Sequence, residues 1–120
     1  MEWHFESDRP IYTQLMEQMQ RRVLAGVYAP GSRVPGVREL AAEAGVNPNT
    51  MQRALADLET QGLLCTQSTN GRFVTNDTGY IRSSREALAK ATTQGYLSQM
   101  NALGCSYDET TQYLLACKPK

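Results

Sequence analysis

Apolar positions recur along this chain with a helical period, and the places where that period breaks mark its elements. Tyr12, Leu15, Met16, Met19 and Val23 repeat at three- and four-residue spacing between Pro10 and Gly26. That spacing predicts an amphipathic helix opened by the proline and ended by the glycine. Val37, Leu40, Ala41 and Ala44 form a second, shorter stripe, with Gly45 suited to the left-handed residue that closes a helix. Asn47-Pro48 then opens a third helix, the asparagine as N-cap and the proline at the first helical position. Its stripe is Met51, Ala54, Leu55 and Leu58, and Gly62 closes it.

Beyond Gly62 the period shortens. Residues 63–67 and 72–75 read as short strands around a polar Ser-Thr-Asn-Gly tip, with Asn70-Gly71 as a tight hairpin turn. Asn76-Asp77-Thr78 supplies capping residues for a long, thinly apolar helix through Ile81, Leu88, Thr92, Tyr96, Met100 and Leu103, ending at Gly104. Ser106 and Glu109 have capping-box spacing, and Tyr107, Thr111, Leu114 and Leu115 mark a last short helix. The class predicted is mainly α with a small β-hairpin wing: a winged helix-turn-helix domain over residues 1–76, then two helices over residues 77–120. Trp3 and Phe5 alternate ahead of the first helix as a short extended arm, with a core role for both aromatics.

A short helix, a tight turn and a longer helix followed by a hairpin present a polar helix N-terminus to a DNA groove. At about 100° per residue, Asn49, Arg53 and Ala56 fall opposite the third helix's apolar stripe, with Thr50 and Gln52 on its flanks. Arginine donates bidentately to guanine, and asparagine or glutamine pairs with adenine, so this face carries base-reading chemistry. An ordinary solvated helix face would show similar residues; its place directly after the turn favours recognition. Arg38, off the apolar face near the start of the second helix, is within reach of a phosphate or base. Gly71 lets the hairpin backbone approach a phosphate or minor groove, and Arg72 supplies charge there.

The strings Pro10-Ile11-Tyr12, Pro30-Gly31, Val37-Arg38-Glu39-Leu40-Ala41, Gly45-Val46, Asn49-Thr50, Arg53-Ala54-Leu55, Leu58-Glu59 and Gly62-Leu63 resemble the amino-terminal domain of the GntR family of bacterial transcription regulators. The resemblance covers about residues 9–75. Many members carry DNA-touching arginines at the positions that Pro48 and Gln52 occupy here. The Trp3-His4-Phe5 opening, the residues 46–54 run and the Gly71-Arg72-Phe73-Val74 wing are similar to the short YtrA-like branch, which has only a brief helical tail. The resemblance implies DNA contacts at Arg38, Asn49, Thr50, Arg53 and Gly71; Gln52 and Arg72 stand as candidates on their own chemistry.

Charge and composition refine this picture. Over residues 1–76, seven arginines face eight carboxylates, a net of −1. Non-specific attraction to DNA is therefore weak, and binding depends on where a few arginines sit. Three cysteines form no paired spacing and there is one histidine, so no zinc site is expected; the cysteines read as small, partly buried residues in a reducing cytoplasm. No nucleophile–base pair, phosphate loop or dinucleotide fingerprint is present, which argues against an enzyme and against a bound cofactor. No apolar run is long enough to span a membrane. The sparse stripes of the last two helices are satisfied most simply by a second copy of the chain. The reading is a cytoplasmic homodimeric regulator, a repressor, on a double-stranded DNA operator that is an inverted repeat. A winged helix used only to bind protein is the alternative, and the sequence names no small-molecule effector.

Overall fold

The computed structural model describes residues 2–119, and its elements follow the hydrophobic pattern closely. Helix α1 spans Ile11–Leu24, α2 Val37–Ala44 and α3 Pro48–Thr60. Strands β1 (Leu64–Thr66) and β2 (Arg72–Val74) pair antiparallel, with Leu64 opposite Val74 and Thr66 opposite Arg72. Helix α4 runs Thr78–Ala102 and α5 Tyr107–Ala116. The chain divides into two compact units, one up to Ser83 and one from Ser84 onward, so that α4 begins in the first and continues in the second.

The core of the first unit is where the periodicity put it. Leu15, Met19 and Val23 of α1, Leu40 and Ala41 of α2, and Met51, Ala54, Leu55 and Leu58 of α3 are buried, and Leu63, Leu64 and Val74 close the core from the hairpin side. Helix α1 packs on α3 as the third member of the bundle. Truncating a fully buried leucine such as Leu55 removes its transfer energy and leaves a cavity, a cost of about 2–5 kcal/mol. Ile81, one turn into α4, is also buried, and the Tyr80 hydroxyl donates to the Gln61 carbonyl at the end of α3. The first turn of α4 thus belongs to the winged unit.

The caps explain the sharp boundaries. Asn47 Oδ1 accepts from the Asn49 amide at 2.8 Å, which fixes the start of α3 immediately before Pro48. Gly45 closes α2 in the left-handed conformation, with φ +70°, which a side chain resists. Between them the helix-turn-helix angle is set within three residues.

Three features differ from the sequence expectation. The Asn70-Gly71 pair does not make a two-residue turn: Ser68–Asn70 form a single 3-10 turn, the Gln67 amide donates to the Gly71 carbonyl at 2.9 Å, and the loop is longer. A third extended segment, not foreseen, flanks β2. The Val34 amide donates to Arg72 at 3.0 Å and the Val74 amide to Ser32 at 2.8 Å, around an Arg33–Phe73 bridge. Cys65 and Cys117 are exposed and only Cys105 is partly covered, because Cys65 faces outward on a strand whose neighbours Leu64 and Val74 take the core side.

Trp3 and Phe5 are half-buried and lie outside the main core. The arm they belong to runs along α1, held by two glutamines at i, i+4. Gln18 Oε1 accepts from the His4 amide at 3.1 Å and its Nε2 donates to the His4 carbonyl at 2.6 Å. Gln14 repeats the pattern on Glu6 at 2.7 and 2.8 Å. Two residues of extended chain and one turn of helix both advance about 6 Å, so the side-chain amides act as a partner strand. Arg22 continues the row, its guanidinium 4.0 Å from the centre of the Trp3 ring.

Candidate nucleic-acid interface

Burial of the α3 stripe leaves a polar face on the amino-terminal half of the helix. Asn49, Gln52, Arg53 and Ala56 are exposed and Thr50 is half-buried. Arg53 does not extend freely: its guanidinium lies 3.9 Å from the centre of the Tyr12 ring on α1. A cation over an aromatic face is attracted by the ring quadrupole, so Tyr12 narrows the directions in which Arg53 projects. The sequence reading found Arg53 but assigned Tyr12 only to the apolar stripe. Arg38 is exposed in the first turn of α2, and no ion pair engages it among the described residues.

The wing is fastened to α3 through charge. Arg72 Nε meets Glu59 Oε1 at 2.6 Å, and the Thr66 hydroxyl donates to the same oxygen. Arg72 also donates to Gln52 Oε1 at 3.3 Å. Burial works against ionisation of Glu59, but the Thr66 and Arg72 hydrogen bonds more than offset it and hold the carboxyl below its ordinary value. Arg72, a candidate DNA contact in the sequence, is thus paired with Glu59 and hydrogen-bonded to Gln52, both on α3. The ion pair joins residues far apart in the chain, and no local sequence signal announces it.

Gly71 is the second surprise of the wing. Its φ of +102° and ψ of −163° belong to glycine. A Cβ there would stand 2.8 Å from Arg33 Nε and 3.3 Å from Nη2. The space that glycine leaves is taken by the Arg33 side chain, a residue the sequence reading did not select. The remaining candidate positions fall into two groups. Asn49, Thr50, Gln52 and Arg53 share α3; Arg72 is joined to that helix through Gln52, while Arg38 and Gly71 lie on α2 and the wing.

Among the described residues, no group of three His, Cys, Asp or Glu side chains is placed to hold a metal ion. No helix is long and apolar enough to cross a membrane.

Comparison with known proteins locates this arrangement. Residues 11–74 match the family model described as bacterial regulatory proteins, gntR family. The chain is 32% identical over 109 residues to YhcF of Bacillus subtilis (strain 168), an uncharacterised HTH-type transcriptional regulator, covering 91% of this chain and 90% of that one. It is 38% identical over 71 residues to the HTH-type transcriptional repressor YtrA of the same organism, covering 59% and 55% of the two chains. A solved GntR family transcriptional regulator from Listeria monocytogenes superposes with a TM-score of 0.88 at 31% identity, covering 95% of this chain and all of that one.

Proposed function

Since the chain belongs to the gntR family of bacterial regulatory proteins and is a DNA-binding transcription regulator of its short YtrA-like branch, we propose that it acts as a homodimeric repressor on an inverted-repeat operator. The observation that carries the reading is the face of α3. Asn49, Thr50, Gln52 and Arg53 stand together at the amino-terminal half of a helix whose other side is fully committed to the core. In this reading α3 enters the major groove, Arg53 and Asn49 read base edges, and Arg38 and the wing hold the flanking backbone. The repressor role is supported by the similarity to YtrA, itself named as a repressor. Action on chromosomal DNA places the protein in the cytoplasm.

Dimerisation is proposed through residues 77–120. Among the described residues from 84 onward, Thr110 alone is buried, while Leu103, Tyr107, Tyr113, Leu114 and Leu115 are each more than half exposed. A pair of helices with so little core of its own leaves an apolar surface to be covered, and a second copy of the same surface is the occupant we assign. Selection from a random-sequence duplex pool tests the whole reading. It should recover an inverted repeat, and Arg53→Glu should abolish the enrichment. A pool that yields no enriched duplex, or an Arg53→Glu chain that enriches the same one, leaves the α3 face without a role in DNA recognition.

A further inference from the structure

Among the described residues, the wing carries one cation that meets no carboxylate, and it is not the one on its second strand. Arg72 is neutralised by Glu59, Arg53 is stacked on Tyr12, and Arg9 is paired with Glu17 at 2.6 Å. Arg33 is exposed and meets no carboxylate among the described residues. Its backbone is nonetheless fixed, because the hydrogen bonds of Ser32 and Val34 with β2 make residues 32–34 an edge of the wing. Its side chain lies over Gly71, in the space where a Cβ would stand 2.8 Å from Nε, and no hydrogen bond or ion pair takes up its guanidinium among the described residues. Beside it a groove of about 270 Å³ runs between the wing and the start of α2, walled by Pro35, Gly36, Val37, Thr66 and Gly71.

We propose that Arg33 is the wing's contact to a DNA backbone phosphate, and that Gly71 serves to seat it. Three considerations lead there. A guanidinium held at its base and free at its head loses little entropy when it forms a bidentate pair with a phosphate. The groove it borders reaches Gly36 and Val37 at the start of α2, so Arg33 opens onto a concave strip between the wing and that helix. A domain with a net charge of −1 has few cations for phosphate contact, and one that is preorganised and unpaired matters more in that setting. The glycine of the wing tip therefore acts through the arginine it accommodates, whatever approach its own backbone makes. Arg33 and Arg72 both line the groove, but Arg72 is paired with Glu59 and ties the wing to α3.

The inference rests on the DNA-binding reading, and the experiment separates the two. The probe is the duplex recovered by selection from the random pool, with affinity measured across a range of salt concentrations for the wild type, Arg33→Gln, Arg33→Lys and Arg72→Gln. Each phosphate contact contributes a slope of about −0.9 in log K against log salt. Arg33→Gln should weaken binding about evenly across base substitutions and flatten the slope by about one per subunit. Arg33→Lys should keep the slope while losing part of the affinity. Arg72→Gln should leave the slope unchanged. Circular dichroism should show Arg33→Gln folded, since the Arg33 backbone makes the strand contacts and its side chain does not. A wild-type chain that binds while Arg33→Gln retains its full slope overturns the inference alone. So does a loss confined to one base pair, which would make Arg33 a base reader. A wild-type chain that retains no duplex fails the DNA-binding reading and this inference with it.

Discussion

Arg72 on the second wing strand and Glu59 in the last turn of α3 form a 2.6 Å ion pair, with side chains only 16% and 28% exposed. The pair couples the angle of the wing to the angle of α3, because neither side chain has another charged partner among the described residues. It also withdraws one positive charge from the surface proposed to meet DNA. Both consequences follow from the same contact and are separable by mutation.

The first is a pH dependence. Glu59 is held below the ordinary carboxyl value of 4.5, so its contribution to stability is fully present above that value. It is lost as pH falls below 4.5 and through the lower value in the folded protein. Glu59→Gln should therefore destabilise the winged unit by about 1–2 kcal/mol at neutral pH. The difference from wild type should shrink in thermal melts as pH falls below 4.5. A deficit unchanged at pH 3 would show that packing of the Glu59 stem, not its charge, supplies the stability.

The second consequence is electrostatic. Glu59→Gln frees Arg72 beside Gln52 and removes a negative charge near the proposed groove. Affinity for random-sequence duplex should rise several-fold and the salt slope should steepen by up to about one per subunit. Weaker non-specific binding in this variant would indicate that the ion pair positions the wing more than it masks the arginine.

Tyr12 and Arg53 give a parallel case on the other side of α3. The stacked geometry, 3.9 Å from cation to ring centre, assigns Tyr12 as a positioning residue for the proposed base reader. A partly exposed cation–aromatic contact is worth about 0.5–1 kcal/mol, so Tyr12→Leu should raise the operator Kd by about two- to fivefold. In the Arg53→Ala background the same substitution should change nothing further, and this double-mutant comparison is the decisive measurement. Additive losses would mean that Tyr12 acts through the packing of α1 and not through the guanidinium.

The sequence made the helices legible because burial there is periodic and local: Leu15, Met19 and Val23, or Met51, Leu55 and Leu58, declare their face within a few turns. The caps at Asn47, Gly45 and Ser106 are equally local, the last a full capping box with Glu109. What escaped were the short third edge of the wing and the specific side-chain contacts between residues distant along the chain. The 32–34 edge is too short, and too closely punctuated by Pro30, Gly31 and Pro35, to show a strand period. Arg33 against Gly71, Arg72 on Glu59 and Tyr12 under Arg53 are each tertiary. The Asn70-Gly71 signal was real as a turn but misassigned in type, since Ser68 at φ +51° starts a 3-10 turn ahead of it. Candidate DNA-facing residues on α3 were thus visible in advance, while the division of labour among the wing arginines was not.

The tail yields the last prediction. The winged unit extends to Ser83, and Ile81 and Tyr80 are part of it through burial and a hydrogen bond to Gln61. A chain ending after Ser83 should fold and run as a monomer in sedimentation. One ending after Asn76 should lose about 2–4 kcal/mol of stability, because Ile81 is removed from the core and its site stands open. Either monomer should bind a single half-site much as a subunit of the full chain does. Its affinity for a two-half-site operator should fall by a factor of 10² or more, on the order expected when a tethered second head is lost. In the proposed dimer the two heads share one face of the duplex, so inserting half a helical turn between half-sites should abolish tight binding, and a full turn, roughly 34 Å, should restore part of it. If the chain ending after Ser83 still dimerises, the interface lies in the winged unit, with the arm around Trp3 and Phe5 as the next place to cut. If the full chain is indifferent to the half-turn insertion, the two heads are not rigidly joined, and the proposed role of α4 and α5 in setting their separation fails.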